Sequence, residues 1–210
     1  MLAPRCAACQ VPLDHPSAGA VCPRCWDAVV PLTPLGCCSV PPHIALASAI
    51  GPYEDSLKNI IHALKYEQRR SIARGLAQRM RAAGGEVLQG ADVVVPVPLH
   101  RARERERGFN QAHEFARHLG VRMTEALVRT RETAAQADLP ATRREVNVRG
   151  AFALRNGISV EGLIVVLVDD VSTTGATLNA CAAPLLAAGA QEVRALTAAR
   201  ASLRATARRP

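Results

Sequence analysis

The run LIVVLVDDVSTTGATL, residues 163–178, constrains this chain more than any other stretch. Its first six residues, Leu163 to Val168, are apolar and rich in branched side chains, with Gly162 and Asp169 at their ends. A short run apolar on both faces predicts a strand buried on both sides, and hence a parallel sheet covered by helices. Two carboxylates, Asp169 and Asp170, close that strand. Ser172, Thr173, Thr174, Gly175 and Thr177 follow before an alanine-rich run that reads as a helix over 175–188. A strand, a hydroxyl-rich turn and a helix start gather unpaired N–H groups and the positive end of a helix dipole at one point, which suits phosphate. Gly175 lets a phosphate oxygen approach the backbone. The carboxylates carry the wrong charge for phosphate and predict a second target, either vicinal hydroxyls or hydrated Mg²⁺. A sugar phosphate with free hydroxyls suits both halves. An acidic strand end with a threonine helix cap would explain Asp169 and Asp170 alone, but not the whole run 164–176.

This order of residues resembles the phosphoribosyl-pyrophosphate (PRPP) motif of type I phosphoribosyltransferases. The resemblance implies an α/β fold, a parallel sheet flanked by helices. It also implies that Asp169 and Asp170, as catalytic residues, hold the ribose 2′ and 3′ hydroxyls, directly or through Mg²⁺. Thr173, Thr174, Gly175, Ala176 and Thr177 would hold the 5′-phosphate.

The other strong pattern lies at the N-terminus, where Cys6, Cys9, Cys22 and Cys25 form C-x2-C-x12-C-x2-C. Each knuckle aims two sulfurs at one ion, and two knuckles complete a closed tetrahedral site, so the expected Zn²⁺ is structural. With only Val11, Leu13, Val21 and Trp26 to bury, residues 1–30 should fold as zinc binds. Cys37 and Cys38 fall in the proline-rich segment 31–43, read as a linker, and are treated as bystanders. An odd count of seven cysteines, four of them in two tight pairs, suits metal ligation in a reducing compartment better than a disulfide framework. No apolar run is long enough for a signal peptide core or a membrane span, and a cytoplasmic location is expected.

Residues 44–200 are the expected main domain, with a basic tail over 201–210. A strand is expected over 44–50. A helix from Glu54 carries the stripe Leu57, Ile60, Ile61 and Leu64, with Lys58 and Lys65 assigned to its solvated face. A second helix runs through Ile72, Leu76 and Met80 to Gly84 and Gly85. Residues 92–99, DVVVPVPL, predict another central strand, which must stop at Pro96 because proline cannot donate to the ladder. Ligands in open parallel sheets sit beyond the carboxyl ends of the strands, so His100, Arg101, Arg103, Arg105 and Arg107 should reach the region of Asp169 from a positively charged loop. A helix over 111–119, a strand over 121–127 and one over 193–197 complete the expected elements. Residues 129–150 are polar, lack periodicity, and are too long for an ordinary connection.

The segment Asp92 to His100 followed by arginines and Arg107-Gly108-Phe109-Asn110-Gln111 closely resembles the same region of the ComF family, phosphoribosyltransferase-like proteins linked to natural competence. The resemblance continues through Arg129, Arg131, Thr133, Gln136, Leu139, Arg143, Asn147 and Val148 to Phe152. It implies that His100, Arg101, Arg103 and Arg107 bind pyrophosphate. It further implies that Arg129, Arg131 and Arg143 belong to a mobile loop that closes over the substrate and excludes water. The net charge of +8, almost all arginine since Lys58 and Lys65 are the only lysines, is compatible with a polyanionic ligand, although coding bias accounts for part of it. Aromatic residues make up only 3% of the chain, which leaves few platforms for stacking single-stranded DNA. The family link nonetheless implies two alternatives to transfer chemistry. One is a non-catalytic PRPP or nucleotide sensor, and the other an adaptor for single-stranded DNA or the competence helicase. Neither an acceptor nor an oligomeric state is specified by any segment.

Overall fold

A computed structural model describes residues 4–32, 40–131 and 148–201. In chain order the strands are β1 (Ala47–Pro52), β2 (Val93–Pro96), β3 (Leu127–Arg129), β4 (Phe152–Leu154), β5 (Ile164–Ser172) and β6 (Glu192–Arg200). The helices are α1 (Pro23–Asp27), α2 (Asp55–Tyr66), α3 (Ile72–Ala83), α4 (Gly85–Leu88), α5 (Arg101–Arg107), α6 (Gln111–Ala116) and α7 (Ala176–Ala187). Four strands form a parallel sheet in the order β1-β6-β5-β2, and β3 pairs with β4 in a small antiparallel sheet.

β5 lies between β6 and β2, so both of its edges are paired, and a buried cluster covers each of its faces, as its apolar run requires. Side chains alternate across a strand, and the core divides accordingly. Val166 and Val168 join Val94, Leu196 and the stripes of α2 and α3 on one face. Val165 and Leu167 join Val93, Val95 and the α7 residues Leu178, Cys181 and Leu185 on the other. The strand continues past the expected end at Val168, because β6 keeps pairing with it to the register Ser172↔Arg200. Extending the alternation sends Asp170 toward α2 and Asp169 toward α7. The two adjacent carboxylates therefore serve opposite faces of one sheet.

Three expectations change. The arginines after β2 stand on a helix, α5, rather than in a loop. The His100 ring Nδ1 accepts the Ala102 N–H at 3.2 Å at its start, and Gly108, left-handed at φ +72°, closes it with an N–H donated to the Glu104 carbonyl at 2.7 Å. No α5 residue is buried, so the apolar periodicity that betrays a helix is missing. The helix from Gln111 ends at Ala116, not Leu119, and the strand expected over 121–127 reduces to an isolated bridge between Met123 and Val94 before β3 begins.

The N-terminal cysteine module packs directly on the sheet's helical layer. Cys6, Ala7, Val21 and Cys25 share one buried cluster with α2 and α3. The Trp26 ring lies 3.7 Å from the Arg79 guanidinium and covers Gly75, where a Cβ would come within 3.0 Å of the ring. Cys37, Cys38, Thr133, Gln136, Leu139, Arg143 and Asn147 lie outside the described residues.

Candidate functional site

The end of β2 determines how α5 meets the acidic pair. Pro96 stands opposite Val168, and the Val97 N–H donates to the Val168 carbonyl at 2.9 Å, leaving the chain beside Asp169 as it turns toward α5. Asn110 ties the start of α6 to the same strand end, its Nδ2 donating to the Val97 carbonyl at 3.0 Å while its Oδ1 accepts the Ala112 N–H. Between these elements and α2 lies a pocket of about 260 Å³.

Asp169, Asp170, Thr173 and Thr177 line this pocket together with Arg103, Arg107 and Arg129. Arg103 and Thr177, 74 positions apart in the chain, thus meet around one cavity. His100 and Arg101 are not among the lining residues: His100 caps α5, and Arg101 is exposed. Arg131 is exposed and donates to the Arg149 carbonyl at 2.7 Å. Thr174, Gly175 and Ala176 are not among the lining residues and form the turn that joins Thr173 to Thr177. Thr174 Oγ1 accepts the Ala176 N–H at 3.4 Å, and Gly175 is the left-handed N-cap of α7 at φ +77°. A Cβ on Gly175 would run into the Pro41 ring, so both the backbone angle and the space demand glycine here.

Charge in the pocket is balanced by residues that helical periodicity did not single out. Lys65 Nζ sits 2.8 Å from Asp170 Oδ1, with 13% and 16% of the two side chains exposed. Lys58, seven residues earlier on α2, is exposed, and only the last turn of the helix reaches the site. Tyr53 and Tyr66 also line the pocket, and the Arg107 guanidinium lies 5.2 Å from the Tyr66 ring. Burial pushes the Tyr53 hydroxyl up, and burial followed by the nearby charge of Arg103 pulls the Arg129 guanidinium down. Asp169 is pushed up to about 7 by burial and then by Asp170, against the Asp170 N–H that donates to its carboxylate at 2.8 Å and the charges of Lys65 and Arg129.

The second site is the cysteine cluster, whose four Sγ atoms all lie within 4.8 Å of one another. Cys9 and Cys22 Sγ are 3.8 Å apart, the spacing that tetrahedral Zn–S bonds of about 2.3 Å impose. The Cys22 and Ala8 N–H groups donate to Cys6 Sγ at 3.3 and 3.5 Å. Burial raises the Cys6 thiol, yet N–H donors from Cys22, Cys9 and Ala8 hold it down at about 6. Four soft sulfurs at this spacing fit a four-coordinate metal such as zinc.

Residues 69–209 match the phosphoribosyl transferase domain family. The chain is 36% identical over 187 residues to the DNA utilization protein YhgH of Salmonella typhimurium, covering 83% of this chain and 82% of that one. It is 32% identical over 165 residues to competence protein F of Haemophilus influenzae, covering 72% and 71% of the two. A solved structure titled the allosteric regulatory enzyme of purine biosynthesis aligns at TM-score 0.42 and 26% identity, over 65% of this chain and 30% of that one. No helix among the described residues is long and apolar enough to cross a membrane. With a phosphoribosyltransferase domain over two thirds of its length, a four-cysteine cluster before it and relatives named for competence and DNA use, the chain belongs to the ComF family.

Proposed function

We propose that the pocket at the ends of β2 and β5 binds PRPP with Mg²⁺ and transfers its ribose 5-phosphate to a nucleophilic acceptor. The observation that carries this reading is the meeting of Asp169, Asp170, Thr173 and Thr177 with Arg103, Arg107 and Arg129 around one cavity. The carboxylates accept hydrogen bonds from the ribose 2′ and 3′ hydroxyls. The turn from Thr173 to Thr177, with Gly175 and Ala176, holds the 5′-phosphate by N–H and hydroxyl groups. The arginines stabilise charge on the diphosphate as the C1–O bond breaks, with Arg101 and Arg131 adding to the field around it. Carboxylate oxygens are the hard ligands that Mg²⁺ takes, and the bound ion would neutralise the leaving diphosphate. The proposed division is a zinc module over 1–30, a connection over 31–43, the transfer domain over 44–200 and a basic tail over 201–210, in a cytoplasmic protein.

Calorimetric titration of PRPP with Mg²⁺ into the wild type and the Asp169→Ala, Asp170→Ala double variant tests the reading. Micromolar binding that the double variant loses supports it, and no binding by folded, zinc-loaded wild type removes it. Turnover against a panel of acceptors then separates a transferase from a sensor that binds without reacting. The names of the relatives favour one further reading, an adaptor for single-stranded DNA or a competence helicase. DNA affinity that falls with salt and survives loss of both aspartates would support that adaptor.

A further inference from the structure

Gln111 is one of only two buried polar or charged residues among the described ones, with 1% of its surface exposed, and it lines the pocket. Its carboxamide is held in a single orientation. Arg107 Nη1 donates to Gln111 Oε1 at 3.0 Å, and the flipped amide would put its NH₂ against a guanidinium that has no acceptor to offer. The Nε2 group is therefore fixed by its neighbour, and it is buried with no acceptor among the described residues. A buried amide donor left without a partner is unfavourable, and an acceptor brought to it relieves that cost. The other buried polar residue, Thr197, meets the usual requirement by donating to the Ala199 carbonyl at 3.2 Å. Gln111 sits at the first position of α6, where Asn110 caps the helix and anchors it to Val97, so its placement is rigid.

We propose that Gln111 is a specificity residue whose Nε2 donates to an oxygen of the diphosphate held by Arg107, so that the two side chains read that group as one unit. This rests on the PRPP reading above. The chemistry fits: the unpartnered group is a donor, the diphosphate offers only acceptor oxygens, and the guanidinium bonded to Gln111 itself lines the pocket with Arg103 and Arg129. The acidic pair and the threonine turn, which face the ribose and the 5′-phosphate, do not involve Gln111.

The experiment measures binding of PRPP with Mg²⁺ and of ribose 5-phosphate to zinc-loaded full-length protein, together with the melting temperature of the ligand-free form. Gln111→Glu keeps the shape and the oxygen that accepts from Arg107 while removing both donors, and Gln111→Met removes the amide. The expected result is PRPP binding weakened about tenfold or more in both variants, ribose 5-phosphate binding within about twofold of wild type, and no lower melting temperature for Gln111→Met. Unchanged PRPP affinity in Gln111→Glu would overturn the proposal, as would parallel loss of both ligands. Wild type that binds neither ligand would bring down the PRPP reading itself, a result distinct from either of these.

Discussion

Lys65 and Asp170 form an ion pair at 2.8 Å inside the pocket, joining the last turn of α2 to the polar end of β5. Lys65 places one positive charge against a pair of adjacent carboxylates, and both side chains of the pair are more than four-fifths buried. Removing one partner of such a pair leaves a partly buried charge, whereas removing both leaves none. Lys65→Met should lower unfolding stability by about 3 kcal/mol, and adding Asp170→Asn should recover at least half of that. Urea unfolding of the four proteins in the cycle measures the coupling. Additive losses would mean that the pair contributes nothing beyond its separate contacts.

The elevated Asp169 carboxyl gives stability a pH dependence of known sign. Its folded value is pushed up to about 7 from an ordinary 3.8 by burial and by Asp170, so the folded chain holds this proton more tightly than the unfolded chain does. The contribution is full below the ordinary value and is lost as pH rises through about 7. Ligand-free wild type should therefore lose stability between pH 5 and 8 relative to Asp169→Asn, by on the order of a few kcal/mol. Melting curves of the two proteins across that range give the difference directly. Parallel curves would mean that Asp169 is ionised throughout. The same substitution should abolish PRPP binding, separating what the site needs from what the fold prefers.

Much of this architecture is legible in the sequence because it rests on local patterns. The branched apolar run before Asp169 specifies a doubly covered strand, the stripes on α2 and α3 specify core-facing helices, and the paired cysteine spacing specifies the four-sulfur cluster. Lys65 is different. Its spacing from Lys58 suggests one wet face, and only the tertiary placement of the last turn of α2 against Asp170 tells the two lysines apart. The α5 helix escapes for a related reason: a helix that buries nothing carries no apolar period, so its arginines are expected in a loop. Gln111 looks like an ordinary first-turn residue until the Arg107 guanidinium fixes its amide.

Gly175 is constrained twice, by its left-handed backbone and by the Pro41 ring, and the two constraints can be separated. Gly175→Ala should cost about 1–2 kcal/mol for the backbone angle, plus whatever moving Pro41 requires. In a Pro41→Ala background only the first part should remain. Thermal unfolding of the single and double variants tests this, and an equal cost in both backgrounds would show that the ring yields freely. Phosphate-bearing ligands should bind more weakly in both, since the added methyl crowds the turn.

The cysteine module should stabilise the whole protein and not melt on its own, because its core is continuous with that of α2 and α3. Cys9 is exposed while Cys6 and Cys25 are buried, so Cys9→Ser removes a ligand with little loss of packing. It should abolish stoichiometric zinc and lower the midpoint of a single calorimetric transition. Trp26→Ala leaves all four sulfurs in place but strips the cover from Gly75 and the partner from Arg79, and should cost about 3 kcal/mol with zinc still bound. Two resolved transitions, one removed by chelator and one unaffected, would show instead that the module folds independently of the sheet. One transition that moves down with chelator would tie the metal to α2, and through Lys65 and Tyr66 to the pocket itself.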